Sequence, residues 1–369
     1  MNKFLLSAVL LAGALSASAQ RTPFCKAFEG KFLIGTAVNT WQTSDACEGR
    51  VRQVINNEFN AVVAENCMKG EVLQPTEGMF DFREADRLVA MAKANGQVVT
   101  GHCLVWHSQA PKWMFTNDYG QPVSKEVLAE RMRKHILTVV GRYKGQIKGW
   151  DVINEAIEGN GGFRRSPYYN ILGEDYFEIA FRAAHEADPD AELYYNDYGM
   201  DSPAKRNAVV ALVKKLKEKG CRIDGIGMQS HVAFDTNLKE YEKSIEAFAA
   251  TGCKVMVTEL DLSVLPWPKG NQGAAVETHF EYQQKFNPYA NGLSKDMAKQ
   301  YNDFMESLFD IYLRHADSID RVTFWGVSDG DSWKNNWPIN GRTDYPLAFD
   351  RQMQPKGFVE AVCKKALKK

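Results

Sequence analysis

The chain has 369 residues, of which 44% are hydrophobic and 25% are charged, and its formal net charge at pH 7 is -1. These values are typical of a globular protein with a sizeable core and exclude an intrinsically disordered chain. Lysine and arginine are scattered along the sequence, so that no basic patch predicts a nucleic-acid partner.

Residues 1–19 have the pattern of a signal sequence. An apolar run from Phe4 to Ala17 follows Lys3, and the triplet Ala17–Ala19 is typical of a signal-peptidase site. We therefore expect an exported protein, periplasmic or secreted, whose mature chain covers residues 20–369. No later apolar stretch predicts a membrane-spanning helix.

Seven cysteines are too few for a disulfide scaffold in a chain of this length, and their odd number leaves at least one unpaired. Export makes disulfide bonds possible, but we expect mainly small buried residues, with one bridge at most. No Cys-x-x-Cys pair predicts a zinc site.

Apolar and β-branched runs of strand length recur along the chain, with amphipathic helical stretches between them. In chain order the runs are FLIGTAV (32–38), AVVAEN (61–66), VVTGHCLVW (98–106), IKGWDVIN (147–154), ELYYNDY (192–198), DGIGMQSH (224–231), CKVMVTELD (253–261) and RVTFWGVS (321–328). Near-continuous apolar strands that alternate with helices predict a parallel sheet covered on both faces. Eight such units predict an α/β protein with the (β/α)8 TIM-barrel fold rather than an open doubly wound sheet.

Two of the intervening segments, 128–144 and 206–220, repeat apolar positions at three- and four-residue steps, which predicts helices. Residues 266–300, after the seventh strand, are rich in Asn, Gly and Pro, and we expect a loop over the top of the barrel. No linker or change of composition indicates more than a single domain.

Polar and aromatic residues stand where the predicted strands end, which is where the active site of such a barrel lies. They are Glu65 and Asn66, Trp106 and His107, Asn154 and Glu155, Gln229 to His231, Glu259 to Asp261, and Trp325. Two carboxylates can divide the work of breaking a glycosidic bond, while amides bind hydroxyls and aromatic faces stack on sugar rings. The pattern therefore favours a sugar site.

Two other kinds of site fit less well. His102 and His107 are five residues apart, so on a strand they would point to opposite faces and could not easily hold one metal ion. The sequence GVSDG (326–330) matches a nucleophile elbow around Ser328. That fold needs its catalytic histidine after the serine, and the last histidine is His315. We therefore expect no serine-hydrolase site and no metal.

Eight stretches resemble glycoside hydrolase family 10, the endo-β-1,4-xylanases, in the family's order and spacing. They are ENCMK (65–69), GHCLVWHSQAPKW (101–113), WDVINE (150–155), LYYNDY (193–198), GIGMQSH (225–231), VTELD (257–261), TFWGVSDGDSW (323–333) and PLAFD (346–350). The resemblance covers nearly all of the mature chain. It implies a (β/α)8 barrel that hydrolyses xylan and xylo-oligosaccharides as a monomer, without a cofactor.

The resemblance also implies a retaining mechanism with two glutamates. Glu155 resembles the general acid/base and Glu259 the nucleophile that forms a glycosyl-enzyme, with carboxyl groups roughly 5 to 5.5 Å apart. His231 resembles the residue that supplies hydrogen bonds and positive charge to Glu259, and Asp261 the one that orients His231. Asn154 would bind the 2-hydroxyl of the sugar at the cleavage point.

Further positions match substrate contacts of the family. Glu65, Asn66 and Lys69 resemble contacts to the next sugar on the non-reducing side. The other implied contacts are His102, Trp106, Gln109 and Gln229 around the cleaved sugar, Trp325 and Trp333 as aromatic walls, and Tyr198 on the leaving-group side. Gly70 replaces a common Trp and Ala348 a common Leu, departures that change bulk beside the site and leave both glutamates in place.

Two alternatives remain open. Another retaining barrel glycosidase, a cellulase or mannanase, would share Asn-Glu after the fourth strand and Glu after the seventh. The ENCMK and HCLVWH stretches argue against it. A non-catalytic polysaccharide-binding protein on the same scaffold would typically have lost one carboxylate, and here both Glu155 and Glu259 are present.

Overall fold

Eight parallel strands form a closed barrel in the computed structural model, which describes residues 21–268 and 278–368. They are β1 (Leu33–Val38), β2 (Ala61–Ala64), β3 (Val98–Trp106), β4 (Gly149–Asn154), β5 (Glu192–Asp197), β6 (Gly225–Met228), β7 (Lys254–Leu262) and β8 (Ile319–Phe324). Each strand pairs with the next, and β8 pairs with β1 to close the ring. The predicted TIM barrel is confirmed. The expected signal sequence lies outside the described residues.

Helices lie between the strands and cover the barrel. They are α1 (Phe24–Ala27), α2 (Thr40–Thr43), α3 (Gly49–Glu58), α4 (Gly70–Leu73), α5 (Arg83–Ala94), α6 (Lys125–Arg142), α7 (Pro167–Leu172), α8 (Asp175–Ala187), α9 (Pro203–Glu218), α10 (Leu238–Ala249), α11 (Lys295–Arg314) and α12 (Gly357–Lys368), with short 3-10 helices at Lys112–Met114, Gln284–Phe286 and Trp333–Asn335. Within the described part of the chain, no helix is long and apolar enough to cross a membrane.

The predicted strands are correct in number and order, but several were predicted too long, and the largest differences are at the ends of β6 and β8. Strand β6 ends at Met228 because Ser230 has a φ of 65°, and after this break His231–Val232 pairs with β7 alone. Strand β8 ends at Phe324, shortly before Gly326 with its φ of 138°. Left-handed backbone interrupts a β ladder, and its position is not visible in the apolar pattern.

Both predicted helices are confirmed, as α6 and α9, and each begins at a capping serine whose hydroxyl accepts a backbone N–H. The predicted loop 266–300 extends too far, because Ser294 caps α11 in the same way and the helix begins at Lys295. Residues 269–277 of that loop lie outside the described residues.

All seven cysteines are buried and unpaired, so the one bridge that we allowed for does not form. They fill the core as small apolar side chains, as expected.

The barrel interior is packed tightly enough to require glycine at some positions. Gly101 in β3 faces the indole of Trp150 in β4, which is fully buried. A Cβ atom at Gly101 would lie 2.0 Å from Trp150 Cε3, far inside van der Waals contact. The ring fills the space that the missing side chain leaves.

We predict that Gly101→Ala lowers the free energy of unfolding by about 1–3 kcal/mol, because the buried indole has to move. Gly141→Ala is the matched control, since that residue lies in α6 and a Cβ atom added to it would meet no neighbouring atom within 4 Å. The control should keep or slightly raise stability, as alanine favours helices. Urea unfolding measures both, and equal midpoints for the two variants would contradict the prediction.

Candidate active site

The C-terminal ends of the strands surround a cavity of about 410 Å³. All the predicted site residues except Asp261 line it, namely Glu65, Asn66, Lys69, His102, Trp106, Gln109, Asn154, Glu155, Tyr198, Gln229, His231, Glu259, Trp325 and Trp333. Six further residues also line it, Gly199, Val232, Ala233, Trp267, Lys334 and Trp337. The barrel therefore brings together side chains from both halves of the sequence.

Glu155 follows β4 directly and is 6% exposed. Its Oε1 accepts a hydrogen bond of 3.0 Å from Gln229 Nε2, and its Oε2 has no hydrogen-bond partner among the described residues. Burial raises the pKa of Glu155 and the charge of Asp197 raises it further, against the hydrogen bonds from Gln229 and Trp106. The carboxyl group thus keeps its proton to higher pH than an ordinary glutamate.

Glu259 lies in β7 and is 5% exposed. Its Oε1 accepts a hydrogen bond of 2.8 Å from Asn196 Nδ2, and its Oε2 lies 3.1 Å from His231 Nε2. Burial would raise the pKa of Glu259, but the hydrogen bond and charge of His231, together with the charge of His102, outweigh burial and lower it. Two equally buried carboxyl groups therefore have pKa values shifted in opposite directions.

His231 lies between two carboxylates. Its Nδ1 is 2.9 Å from Asp261 Oδ2 and its Nε2 is 3.1 Å from Glu259 Oε2. Because both ring nitrogens face acceptors, both carry hydrogen and the ring is an imidazolium. Burial would lower the pKa of His231, but Asp261 and Glu259 outweigh burial and raise it to about 9. Asp261 is fully buried behind the ring, which explains why it does not line the cavity.

Three amides connect the two glutamates. Asn154 Oδ1 accepts hydrogen bonds from Asn196 Nδ2 at 2.9 Å and from Gln229 Nε2 at 3.2 Å. The same two amide nitrogens also donate to Glu259 and Glu155. The ionised Glu259 can only accept, and Thr258 Oγ1 donates to Asn196 Oδ1, so the Nδ2 group of Asn196 points at Glu259. The same Nδ2 group then requires an acceptor at Asn154, which places Asn154 Oδ1 there. The NH2 group of Asn154 is left facing Glu155 Oε1, at 3.4 Å.

The polar group on one side of the cavity is built around Lys69. Its Nζ donates to Asn66 Oδ1 and to Gln109 Oε1, each at 2.8 Å, and it lies 4.9 Å from the centre of the Trp106 ring. Burial raises the pKa of Glu65 and lowers that of Lys69. These residues form a hydrogen-bonding wall that suits hydroxyl groups.

On the opposite side Tyr198 is held by an arginine that the sequence analysis missed. Arg164 Nη2 donates to the Tyr198 hydroxyl at 2.9 Å, and Arg164 Nε donates to the backbone oxygen of Glu155 at 2.7 Å. The loop after β4 supplies this residue, and no strand-end pattern marked it. Arg164 therefore couples the position of Glu155 to that of Tyr198.

Other supporting residues were also missed. Asn196 is fully buried beneath the cavity floor residue Asn154, with which it pairs between β4 and β5, and Thr258 Oγ1 donates to Asn196 Oδ1 at 2.6 Å. Asp151 Oδ2 lies 2.9 Å from His102 Nδ1 in the barrel interior. Polar residues within otherwise apolar strands were the available signal for Asn196 and Asp151.

The metal site at His102 and His107 and the serine-hydrolase site at Ser328 were both rejected in the sequence analysis. His107 does not line the cavity with His102, and in residues 21–268 and 278–368 no three His, Cys, Asp or Glu side chains form a group suited to a metal ion. The Ser328 hydroxyl is buried and donates to Asp331 Oδ2 at 2.8 Å.

Comparison with known proteins shows the family of the chain. The family model "Glycosyl hydrolase family 10" matches residues 24–365. Endo-1,4-beta-xylanase A of Xylanibacter ruminicola is 52% identical over 99% of this chain and 98% of its own length. Endo-1,4-beta-xylanase A of Thermotoga maritima is 40% identical, and the match spans 27% of that longer protein.

A solved structure of a GH10 endoxylanase from a sugarcane soil metagenome superimposes with a TM-score of 0.89 at 44% identity, over 93% of this chain and 99% of that one. The resemblance drawn from the eight sequence stretches is thereby confirmed. The chain belongs to glycosyl hydrolase family 10.

Proposed function

We propose that the chain is an endo-1,4-β-xylanase that hydrolyses internal bonds of xylan with retention of configuration. The observation that carries the proposal is a pair of buried glutamates in one cavity with pKa values shifted in opposite directions. A retaining glycosidase needs one protonated and one ionised carboxyl group at the same pH. The names of the relatives support xylan as the substrate.

In the first step Glu259 attacks the anomeric carbon while Glu155 protonates the leaving glycosidic oxygen. The hydrogen bonds from His231 and Asn196 keep Glu259 ionised until it reacts. The burial of Glu155 keeps it protonated. The product of this step is a glycosyl ester on Glu259, with the shortened chain leaving on the side of Tyr198.

In the second step Glu155 acts as a base. The negative charge of Glu259 is one of the causes that raise the pKa of Glu155, and this charge is lost when the ester forms. The pKa of Glu155 therefore falls in the intermediate, so that the carboxyl group, having given up its proton, accepts another from water. The water attacks the anomeric carbon from the face that the leaving group occupied, opposite Glu259. This second inversion restores the original configuration.

Asn154 is placed to stabilise the transition state. Its oxygen is engaged by Asn196 and Gln229, which leaves its NH2 group as the donor toward a sugar hydroxyl. A hydrogen bond to the 2-hydroxyl strengthens as positive charge develops on the ring. Asn154 thus contributes more to the transition state than to substrate binding.

The proposal extends to export and to a monomeric state. The apolar run and the Ala17–Ala19 triplet in residues 1–19 support export to the periplasm or beyond. Amino-terminal sequencing of the protein from the periplasm and the medium tests the cleavage after Ala19, and light scattering on the purified chain tests the monomer.

The substrate test measures reducing ends released from soluble xylan, carboxymethylcellulose and mannan. We expect xylan to be cut to short oligomers, and we expect NMR to detect the β-anomer as the first product. Preference for cellulose or mannan would contradict the substrate. An α-anomer as first product would contradict retention, and absence of hydrolysis would favour a polysaccharide-binding protein.

We predict that Glu155→Gln lowers kcat on xylan by about 10²- to 10⁴-fold, since it removes acid and base catalysis. On a dinitrophenyl xylobioside, whose leaving group needs no proton, this variant should release one equivalent of dinitrophenol in a burst, because only the second step is slow. Glu259→Gln should lose roughly 10³-fold or more on both substrates, without a burst.

Glu130→Gln, which changes an exposed carboxylate of α6, is the control for both variants and should keep wild-type rates. A burst from Glu259→Gln, or none from Glu155→Gln, would reverse or refute the assigned roles.

We predict a bell-shaped pH dependence of kcat/KM. Activity rises as Glu259, whose pKa lies below the ordinary value, loses its proton, and it falls as Glu155, whose pKa lies above the ordinary value, loses its own. In Glu155→Gln the alkaline limb should disappear from the residual activity. Persistence of the same alkaline limb in that variant would show that another group sets it.

A further inference from the structure

A largely buried lysine at the edge of the cavity contacts the aspartate that lies behind His231. Lys334 belongs to the short helix Trp333–Asn335 and is 3% exposed. Its Nζ lies 3.5 Å from Oδ1 of the fully buried Asp261. Lysine is almost never buried so completely unless its charge has a partner. Among the described residues, Asp261 Oδ1 makes no hydrogen bond, so this ammonium group is the cation that compensates it.

Indole rings hold the ammonium group of Lys334 in place. Its Nζ lies 4.5 Å from the centre of the Trp333 ring, 4.6 Å from that of Trp267 and 5.9 Å from that of Trp337. Ring faces attract a cation without neutralising it. Arg342 fixes the backbone, because its Nη2 donates to the carbonyl oxygens of Lys334 at 3.4 Å and Trp337 at 3.0 Å. The ammonium group is therefore held close to Asp261 and keeps its positive charge there.

Four charges of alternating sign lead from this lysine to the nucleophile. Lys334 contacts Asp261 at 3.5 Å, Asp261 contacts His231 at 2.9 Å, and His231 contacts Glu259 at 3.1 Å. Interactions between charges are strong in such a buried place, because water screens them little. Burial would raise the pKa of Asp261, but the charges of His231 and Lys334 outweigh burial and lower it.

We propose that Lys334 is a positioning residue for the nucleophile, acting through Asp261 and His231. Its ammonium group keeps Asp261 ionised, and the ionised Asp261 holds the Nδ1–H group of His231. The Nε2–H group of His231 consequently stays on Glu259. This inference rests on the proposed function, because it takes Glu259 as the attacking group.

Asp344 is the other buried carboxylate whose charge interacts with Lys334. Its Oδ2 accepts a hydrogen bond of 2.5 Å from Ser263 Oγ, and its Oδ1 accepts from the backbone of Val264 at 3.1 Å. Both oxygens of Asp344 are thus engaged, whereas Oδ1 of Asp261 is not. Asp261 therefore depends more than Asp344 on the ammonium group to compensate its negative charge.

Replacing Lys334 alone leaves every other ionisable residue around the four charges in the chain, although the charge of Lys334 lowers the pKa of both Asp344 and His231. They are Arg342 and Asp344 beside Lys334, Tyr301 beside Asp261, and His102, Lys69 and Glu155 around Glu259. A change in the pH profile of such a variant is then assigned to the lost charge.

The test is the pH dependence of kcat/KM for Lys334→Met on a xylo-oligosaccharide. Loss of the cation raises the pKa of Asp261 and so weakens its hold on the Nδ1–H group of His231. If Lys334 acts by this route, Glu259 is less well held as a carboxylate, and the acid limb should move to higher pH by about half a unit or more. The alkaline limb, set by Glu155, should stay. Methionine keeps the apolar contacts with the indoles, so a role in packing alone leaves the acid limb in place.

Two controls accompany Lys334→Met. Lys334→Arg keeps the charge and should keep the wild-type acid limb. Lys239→Met removes an exposed lysine of α10 and should leave the whole profile unchanged. In an Asp261→Asn background, Lys334→Met should cause no further shift, because the residue through which it acts is already neutral. An equal shift in both backgrounds would overturn the route through Asp261.

An unchanged acid limb in folded Lys334→Met overturns the inference. If that variant does not fold, Lys334→Gln takes its place with the same expected shift. If neither folds while Lys334→Arg does, the charge serves folding and the inference is also overturned. Wild type and Glu259→Ala are measured alongside. An inactive wild type or an active Glu259→Ala refutes the proposed function itself, whereas normal results for both with an unmoved limb refute only the role of Lys334.

Discussion

The contact between His231 and Glu259 is the interaction on which the site depends. Two carboxyl groups in one buried cavity raise each other's pKa, so neither Glu155 nor Glu259 would ionise easily without help. His231 removes this symmetry, because its imidazolium lies 3.1 Å from Glu259 and is kept charged by Asp261. One glutamate is thereby ionised while the other keeps its proton. Of the amides beside the two glutamates, Asn196 donates to Glu259 and Gln229 donates to Glu155.

Two residues at the strand ends have an unfavourable backbone conformation. Glu155 and Ser230, just after β4 and β6, have φ values of 58° and 65°. A non-glycine residue in this region costs on the order of 1–3 kcal/mol, and the surrounding structure has to maintain it. For Glu155, the backbone N–H donates to Asn196 O at 2.9 Å and the backbone oxygen accepts from Arg164 Nε at 2.7 Å. With this backbone conformation the carboxyl group of Glu155 lines the cavity.

Strands and their final residues were predictable because they follow from local pattern. Continuous apolar runs located all eight strands, and most of the polar residues that end them, such as Glu155 and Glu259, line the cavity. The ends of β6 and β8 were not predictable, since they depend on backbone angles at Ser230 and Gly326. The missed residues include Arg164, Trp267, Lys334 and Trp337, which lie in loops or in a short 3-10 helix, and Asp151 and Asn196, which lie inside strands.

The sequence by itself determined the order of the strand and helix units and the chemical groups that stand at the strand ends, because both are properties of neighbouring residues. Only the tertiary structure decided how those groups are charged. Ionisation depends on burial and on distances between residues far apart in the chain, such as those from His231 to Glu259 and from Lys334 to Asp261. The assignment of a proton to Glu155 and a charge to Glu259 is therefore a product of the folded barrel.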